Sequence, residues 1–412
     1  MNAESLRCKE CSAEYAFGAV FYCERCFGPL EVSYDFSGIE PGEARRRIQA
    51  GSQGIWRYRD FLPCGDEAIG RISLEPGLTP LIRADGLAER LGIGAELWVK
   101  NDAANPTHSF KDRVVAVAIA RAIEMGYETI ACASTGNLAN AVAAQASACG
   151  LESYVFVPAD LEREKLLATD IYGGNLVGVR GNYDAVNRLC TELSQEKPWA
   201  FVNVNLRPYY SEGSKTLAYE TVEQLGWELP DRVVCPVASG SLFTRIGRGF
   251  SEWIDLGLVE GEVPVFSGAQ ALGCSPVARA FERGKETCTP QKPETIAKSL
   301  AIGNPADGTY ALERARGSGG SIEAVTDDEI RDGIRLLAET TGIFTETAGG
   351  VTVAVLRKLA DRGELADGER VVAYITGDGL KTPEANSDSF SIHEIDPATD
   401  SFEEAFAGIG AL

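Results

Sequence analysis

Asn105-Pro-Thr-His-Ser-Phe-Lys-Asp-Arg-Val114 puts a lone lysine, Lys111, at the point where a strand gives way to a helix. Upstream, Leu97-Trp-Val99 reads as the end of a strand. Downstream, Val114, Val115, Ala118, Ile119, Ala122 and Ile123 keep an apolar face at a period of about 3.6 residues, so a helix runs to about Gly126. Ser109 and Asp112 have the spacing of a capping box. Lys111 then falls in the first helical turn, where the macrodipole and the unpaired N–H groups favour anions over an ammonium. Such a lysine is easier to deprotonate, and only a neutral amine attacks a carbonyl to form a Schiff base. The same helix start would help to hold a phosphate. The plainer alternative is a surface lysine that leans away from the helix end.

Three further corners repeat the pattern. Ile130-Ala-Cys-Ala-Ser134 reads as a buried strand, followed by Thr135-Gly-Asn137 and a helix from Leu138 to Cys149. Val233-Val-Cys-Pro-Val237 runs into Ala238-Ser-Gly-Ser241 and a helix beginning near Leu242, and Val371-Val-Ala-Tyr-Ile375 leads into Thr376-Gly-Asp-Gly379. Small residues between strand and helix let backbone N–H groups approach a phosphate, although they also serve ordinary turns. Four such corners at the carboxyl ends of strands lie where open α/β sheets bind ligands. Strands are expected near 96–100, 129–134, 153–158, 175–180, 200–205, 232–237, 265–270 and 370–376, with helices between them. This alternation predicts an α/β fold of two open parallel-sheet domains with the site in the cleft between them. The expected division is a smaller domain over 91–224 carrying Lys111 and Asn137, and a larger one over 225–383 carrying Thr376 and the loop from Ala238 to Leu242. Segment 39–90 is expected to pack on the larger domain through Trp56, Tyr58 and Phe61, and 384–412, which lacks lysine and arginine, to form an acidic tail whose last turns dock as a short helix.

Residues 1–38 form a separate module. Cys8-Lys-Glu-Cys11 and Cys23-Glu-Arg-Cys26 are two C-x2-C knuckles separated by eleven residues. Four thiolates so spaced suit a tetrahedral Zn²⁺, which makes Cys8, Cys11, Cys23 and Cys26 the expected ligands of a structural zinc ribbon. Disulfides are the alternative, disfavoured because the other seven of the eleven cysteines are scattered and no secretory leader opens the chain. With 412 residues, 44% of them hydrophobic, there is room for two catalytic domains beside the ribbon. A formal charge of −21 repels nucleic acid and anionic membranes. No apolar run approaches the roughly 18 to 20 residues that cross a bilayer, and a cytoplasmic enzyme is expected. Acidity of this size also suits a protein adapted to high salt.

The blocks Pro76-Gly-Leu-Thr-Pro-Leu81, Asn105 to Arg113, Ser134-Thr-Gly-Asn137, Glu212-Gly-Ser-Lys-Thr216, Ala301-Ile-Gly-Asn-Pro305, Gly342-Ile-Phe-Thr-Glu-Thr347 and Thr376-Gly-Asp-Gly-Leu-Lys381 occur in an order that resembles the threonine synthases. These belong to the β-family (fold type II, tryptophan synthase β-like) of pyridoxal-phosphate enzymes, and the resemblance covers roughly residues 1 to 385. It implies that Lys111 carries the cofactor covalently and moves protons among the substrate carbons. It further implies that Asn137 bonds the cofactor's phenolic oxygen, that Ala238, Ser239, Gly240, Ser241 and Leu242 surround its phosphate, and that Thr376 meets its pyridine nitrogen. A hydroxyl in that last position leaves the ring nitrogen largely neutral. Ser134, Thr135 and Gly136 would take the substrate's α-carboxylate. Asn203, Asn205 and Arg207 would offer two amides and a guanidinium to its phosphate, with Lys215 and His108 as further candidates. Arg207 and Lys215 would otherwise be surface ion-pair residues, and His108 would otherwise fill space behind the lysine loop. Glu346 would lie near the ring.

Two positions depart from the commoner pattern: His108 stands where many relatives carry glycine, and Asp378 where several carry histidine. The implied activity converts O-phospho-L-homoserine and water to L-threonine and phosphate by γ-elimination and β-addition, in a homo-oligomer, expected as a dimer. A cysteate synthase acting on O-phosphoserine and sulfite stands open beside it, since the two substrates differ by one methylene, as do other lyases of the β-family. A cofactor-binding interaction protein without catalysis is the rival from outside the enzymes.

Overall fold

A computed structural model of the chain describes residues 2–20, 22–134, 136–159, 163–181, 183–389 and 392–406. Strands β1 (Ala3–Cys8), β2 (Glu14–Tyr15) and β3 (Leu30–Tyr34) form an antiparallel ribbon in the order β2-β1-β3. After β4 (Leu81–Arg83) and β5 (Glu96–Asn101), strands β6 (Thr129–Ala133), β7 (Glu152–Pro158), β8 (Asn175–Val179) and β9 (Ala200–Phe201) make a parallel four-stranded sheet in the order β8-β7-β6-β9. Strands β10 (Arg232–Pro236), β11 (Val265–Ala271), β12 (Ile322–Val325) and β13 (Arg370–Ile375) then join β5 and β4 in a six-stranded sheet of order β12-β11-β10-β13-β5-β4. Only β4 runs antiparallel in that sheet. The central strands read as unbroken apolar runs because helices cover both faces of a parallel sheet: Val371 to Ile375 and Ile130 to Ala133 are fully buried.

One expected boundary fails. Strand β5, which delivers Lys111, does not belong with β6 to β9: it pairs with β13, Val371 opposite Leu97 and Ile375 opposite Asn101. The smaller sheet therefore begins only at Thr129, and Lys111 sits on the larger sheet's side of the cleft. Sequence order favours pairing neighbours, as β4 does, but the parallel partner of β5 lies more than two hundred residues downstream. The strands β4 and β12, which the sequence pattern does not reveal, are three and four residues long and close the two edges of the large sheet.

The helix Lys111–Glu124 is buried on all sides, every residue from Asp112 to Ala122, not on one apolar face alone. It packs against the helix Asn137–Ala148 of the smaller sheet and against the helix Arg207–Glu212, which in turn meets the ribbon strand β3, all within one apolar cluster. Phe17 meets Tyr209 edge-on at 5.9 Å, and the Arg121 guanidinium lies 4.7 Å from the Phe17 ring. In the segment after the ribbon, Tyr58 and Phe61 are fully buried against Trp253, at 5.8 and 5.9 Å. The acidic end carries the helix Thr399–Phe406, none of whose residues is buried, so it does not dock as expected; 407–412 lie outside the described residues.

Burying this helix puts Arg113 in the core, where it needs counter-charge. Its guanidinium holds Asp102 through Nε at 2.7 Å and Nη2 at 2.8 Å, and Glu220 through Nη2 at 2.7 Å. Lys100 Nζ also reaches Glu220, at 2.8 Å. Burial alone would raise the Glu220 carboxyl, but Arg113 and Lys100 outweigh it and hold it down at about 2. The network ties β5, the lysine helix and the helix Thr216–Gln224 together. Arg113→Met leaves buried Asp102 without its ion pair and Glu220 with Lys100 alone, and is expected to cost about 3–5 kcal/mol of unfolding free energy in urea titration; an unchanged midpoint contradicts this role.

Candidate active site

Three adjacent strands of the large sheet, β5, β13 and β10, end at one edge, and each is followed by a corner singled out in the sequence. The loop after β5 is fixed by its own polar side chains. Asn105 accepts from Gly77 N at 3.0 Å and donates to Asp102 O at 2.9 Å. Asp112 turns back to accept from Thr107 N at 2.7 Å and Thr107 Oγ1 at 2.8 Å. The expected capping box is therefore absent: Asp112 is spent on Thr107, Phe110 is the cap residue without a side-chain bond, and Ser109 Oγ is buried with no partner among the described residues.

Lys111 is the first residue of its helix, and its Nζ donates to Tyr210 Oη at 2.6 Å. The loop is stitched to the end of β13. Phe110 N donates to Thr376 O at 2.9 Å, Asp378 N donates to His108 O at 3.0 Å, and Ser109 bridges Gly377. Thr376 is buried beside them. His108 has φ +63°, the left-handed region that glycine adopts without penalty, and its side chain is exposed. That conformation explains why glycine suits the position, and the exposure rules out a packing role behind the lysine.

Across the cleft, β6 is followed by Ser134, whose N donates to Phe156 O at 3.2 Å, and an exposed Gly136 leads into the helix Asn137–Ala148. Thr135 lies outside the described residues. Asn137 Nδ2 donates to both oxygens of Glu346, at 2.9 and 3.1 Å. Glu346 is buried, and its N donates to Gly377 O at 3.1 Å. A Cβ at Gly377 would stand 2.6 Å from Glu346 Oε1, so the glycine after Thr376 is what lets this carboxylate in. Burial raises the Glu346 carboxyl above its ordinary range, against the lowering effects of Asn137, Lys381 and Lys111. Lys111, Asn137, Glu346 and Thr376 thus form one connected group.

The corner after β10 carries the loop from Ala238 to Leu242 at the start of the helix Ser241–Asp255. Gly240 has φ +94°, and a Cβ there would stand 2.6 Å from Asp307 O. Only glycine keeps this turn tight enough to bare the helix-start N–H groups. Asp307 N donates to Ser239 O at 2.8 Å, while Asp307 Oδ2 accepts from Arg207 Nη2 at 2.7 Å. Arg207 is one-third exposed (33%) and comes from the smaller sheet's side, so this pair spans the cleft.

Two expected substrate ligands are placed elsewhere. Lys215 is fully buried, paired with Glu212 at 2.7 Å and Glu252 at 3.0 Å, with Nζ 4.2 Å from the Tyr34 ring. Asn205 closes an interior turn, accepting from Phe201 N at 2.8 Å and donating to Trp199 O at 3.1 Å. Both sit on elements with strong local demands for charge or amide, which their spacing in sequence does not reveal. Asn203 donates to Ala133 O and accepts from Ala133 N, both at 3.3 Å, at the end of β6. Tyr210 was not foreseen: nothing in Arg207-Pro-Tyr-Tyr210 marks its hydroxyl as a lysine partner, and only the packing of the helix Arg207–Glu212 on the lysine helix brings it there.

The residues fit a phosphorylated aldehyde cofactor. A turn that tolerates no Cβ exposes a helix start for a phosphate, an amine stands on the neighbouring corner, and the buried hydroxyl of Ser109 lacks a partner beside it. In the ribbon, the four Sγ atoms of Cys8, Cys11, Cys23 and Cys26 lie within 4.8 Å of one another. A tetrahedral zinc with Zn–S bonds of about 2.3 Å needs sulfurs about 3.8 Å apart, so the cluster is compatible with a structural zinc. Gly28 allows this closure, because a Cβ there would stand 3.0 Å from Cys8 Sγ.

Comparison with known proteins agrees with this chemistry. The family described as "Pyridoxal-phosphate dependent enzyme" matches residues 72–377. The chain is 39% identical over 381 residues to the threonine synthase of Methanocaldococcus jannaschii, covering 92% of this chain and 93% of that one. It is also 39% identical over 383 residues to the threonine synthase of Methanosarcina acetivorans, covering 92% of each. Among solved structures, the processed form of threonine deaminase isoform 2 from Solanum lycopersicum superposes with a TM-score of 0.65 at 19% identity, over 87% of this chain and 95% of that one, a likeness of fold alone.

The raised Glu346 carboxyl gives a pH test. Because its proton is bound more tightly in the folded state, its contribution to stability is complete below the ordinary carboxylate range and is lost as pH rises through the folded value. Glu346→Gln is therefore expected to unfold at a higher temperature than wild type at neutral pH, with the gap closing as pH falls below about 4; a gap independent of pH contradicts it.

Proposed function

The chain belongs to the pyridoxal-phosphate-dependent enzymes and, among them, to the threonine synthases, and from that premise we propose how its own residues carry out the conversion of O-phospho-L-homoserine and water to L-threonine and phosphate. The observation that carries the reading is the group of Lys111, Asn137 and Thr376, each delivered just past a strand, with Glu346, at the start of the helix Thr347–Asp361, joining Asn137 to the Thr376 loop. Lys111 would tether the cofactor, Asn137 and Thr376 would orient its ring, and the loop from Ala238 to Leu242 would hold its phosphate. When bound, pyridoxal phosphate supplies an electron-withdrawing system conjugated to the substrate's amino nitrogen, which acidifies the Cα–H.

Lys111 Nζ is the proton carrier. It would carry protons one at a time: it would take the proton from Cα and release it before taking one from Cβ as the γ-phosphate departs, return one to Cγ, and return one to Cα after water has added its OH at Cβ and left its other proton on the phosphate. Tyr210 Oη, 2.6 Å from Nζ, keeps the amine aimed across the cleft. Asn137 must turn from Glu346 to face the ring, which leaves the buried Glu346 carboxyl beside it free to take another partner. Ser134 and Gly136 lie just before a twelve-residue helix, a suitable seat for the α-carboxylate, with Thr135, outside the described residues, as the third expected donor. Arg207 takes the substrate's phosphate by exchanging it for Asp307, with Asn203 beside it and His108 at the exposed edge of the lysine loop. Closure of the cleft excludes bulk water while the carbon acid is deprotonated.

The finer reading places the protein in the cytoplasm as a homodimer whose ligands are small molecules. All eleven cysteines are free, which suits a reducing compartment, and among the described residues no helix is long and apolar enough to cross a membrane.

Purified protein is expected to release phosphate and threonine in equal amounts from O-phospho-L-homoserine. Lys111→Ala abolishes both, and Tyr210→Phe lowers kcat about tenfold while keeping the product ratio, the scale of one lost hydrogen bond. Bound cofactor without threonine, and turnover of O-phosphoserine with sulfite instead, would overturn the substrate assignment and leave the family intact.

A further inference from the structure

A cavity of about 610 Å³ lies at the seam between the ribbon and the helices Ser241–Asp255 and Gly308–Gly317, with four cations on its walls: Lys9, Arg245, Arg248 and Arg314. Arg245 is committed to Glu212 at 2.7 Å, and Arg248 to Glu31 at 2.7 Å and Glu252 at 2.8 Å. The other two make no direct ion pair among the described residues, although Asp307 and Glu31 lie near enough to act on Lys9. Lys9 Nζ sits 3.2 Å from the centre of the Tyr310 ring, and the Arg314 guanidinium lies 5.8 Å from the Phe266 ring. Neither side chain makes a hydrogen bond or ion pair among the described residues. Arg314 is held in place by close packing, since a Cβ at Gly247 would stand 2.6 Å from its Nε. Of the carboxylates on the walls, Glu31 is taken by Arg248, and Glu262 and Glu313 stand exposed.

Two partly buried, unpaired cations converging on one void are costly in isolation, and more conspicuous in a chain of net charge −21. A fork-shaped guanidinium beside a compact ammonium suits a tetrahedral dianion better than a flat carboxylate. We propose that this cavity binds a small phosphate-bearing anion through Lys9 and Arg314, with Arg245 and Arg248 reinforcing the field. The site is distinct from the catalytic cleft but backs onto it: Thr244 lines the cavity and its Oγ1 donates to Gly240 O at 3.0 Å, the residue that shapes the cofactor-phosphate loop. The proposal does not depend on which amino acid the enzyme handles.

The test is equilibrium dialysis of full-length, zinc- and cofactor-loaded protein against inorganic phosphate and, separately, glucose 6-phosphate, the tighter of which identifies the free ion or an ester as the occupant. Arg314→Gln and Lys9→Met are each expected to remove one class of bound phosphate, weakening it at least about tenfold, while Arg207→Gln leaves that class intact. Zinc content and phosphate-free turnover of Arg314→Gln should match wild type. Identical binding in wild type, Arg314→Gln and Lys9→Met, no binding of either probe, or loss in Arg207→Gln alone would overturn the proposal.

Discussion

The parallel pairing of Glu96–Asn101 with Arg370–Ile375 is the constraint on which the site depends. It joins an early strand of the catalytic body to its last, so the lysine loop and the Thr376 loop leave one edge side by side and continue bonding past the strands themselves, through Phe110 N to Thr376 O and the Ser109–Gly377 bridge. A one-residue slip in that register would turn every side chain of β5 to the opposite face and carry Lys111 away from the cleft. The buried cluster of Arg113, Asp102, Lys100 and Glu220 guards the register, because Lys100 and Asp102 bracket the end of β5 and have counter-charges only in this arrangement.

Charge is divided by depth. Lys100, Arg113 and Lys215 are enclosed by carboxylates and hold helices in place, while Lys111 is left with a tyrosine hydroxyl and the one-third exposed Arg207 with the single carboxylate of Asp307, partners that a ligand can exchange. Partners that can be exchanged are what a site needs when its ligand brings its own phosphate and carboxylate. The sequestered cations give stability and no binding, which is why Lys215, attractive as a residue type, belongs to the framework.

Much of this was legible in the sequence, for reasons that can be named. Val371 to Ile375 and Ile130 to Ala133 are continuous apolar runs ending in small polar residues, a pattern that only a covered parallel strand and its turn require. The paired knuckles predicted a four-sulfur cluster because their spacing leaves little other geometry. What escaped was tertiary. Nothing near Leu97 announces that its partner is Val371, and nothing near Tyr210 announces Lys111. The Ser109–Asp112 spacing matched a capping box, yet a closer acceptor demand at Thr107 captured the aspartate. Short edge strands such as Leu81–Arg83 carry too few residues for any periodicity to show.

The central claim is that this architecture selects one lysine among the many in the chain. Borohydride reduction of the cofactor-loaded protein, followed by peptide mass spectrometry, reads that selection without reference to turnover. A phosphopyridoxyl group is expected on Lys111 alone, with Lys381 and the enclosed Lys100 and Lys215 unmodified. Modification centred on any other lysine would contradict it.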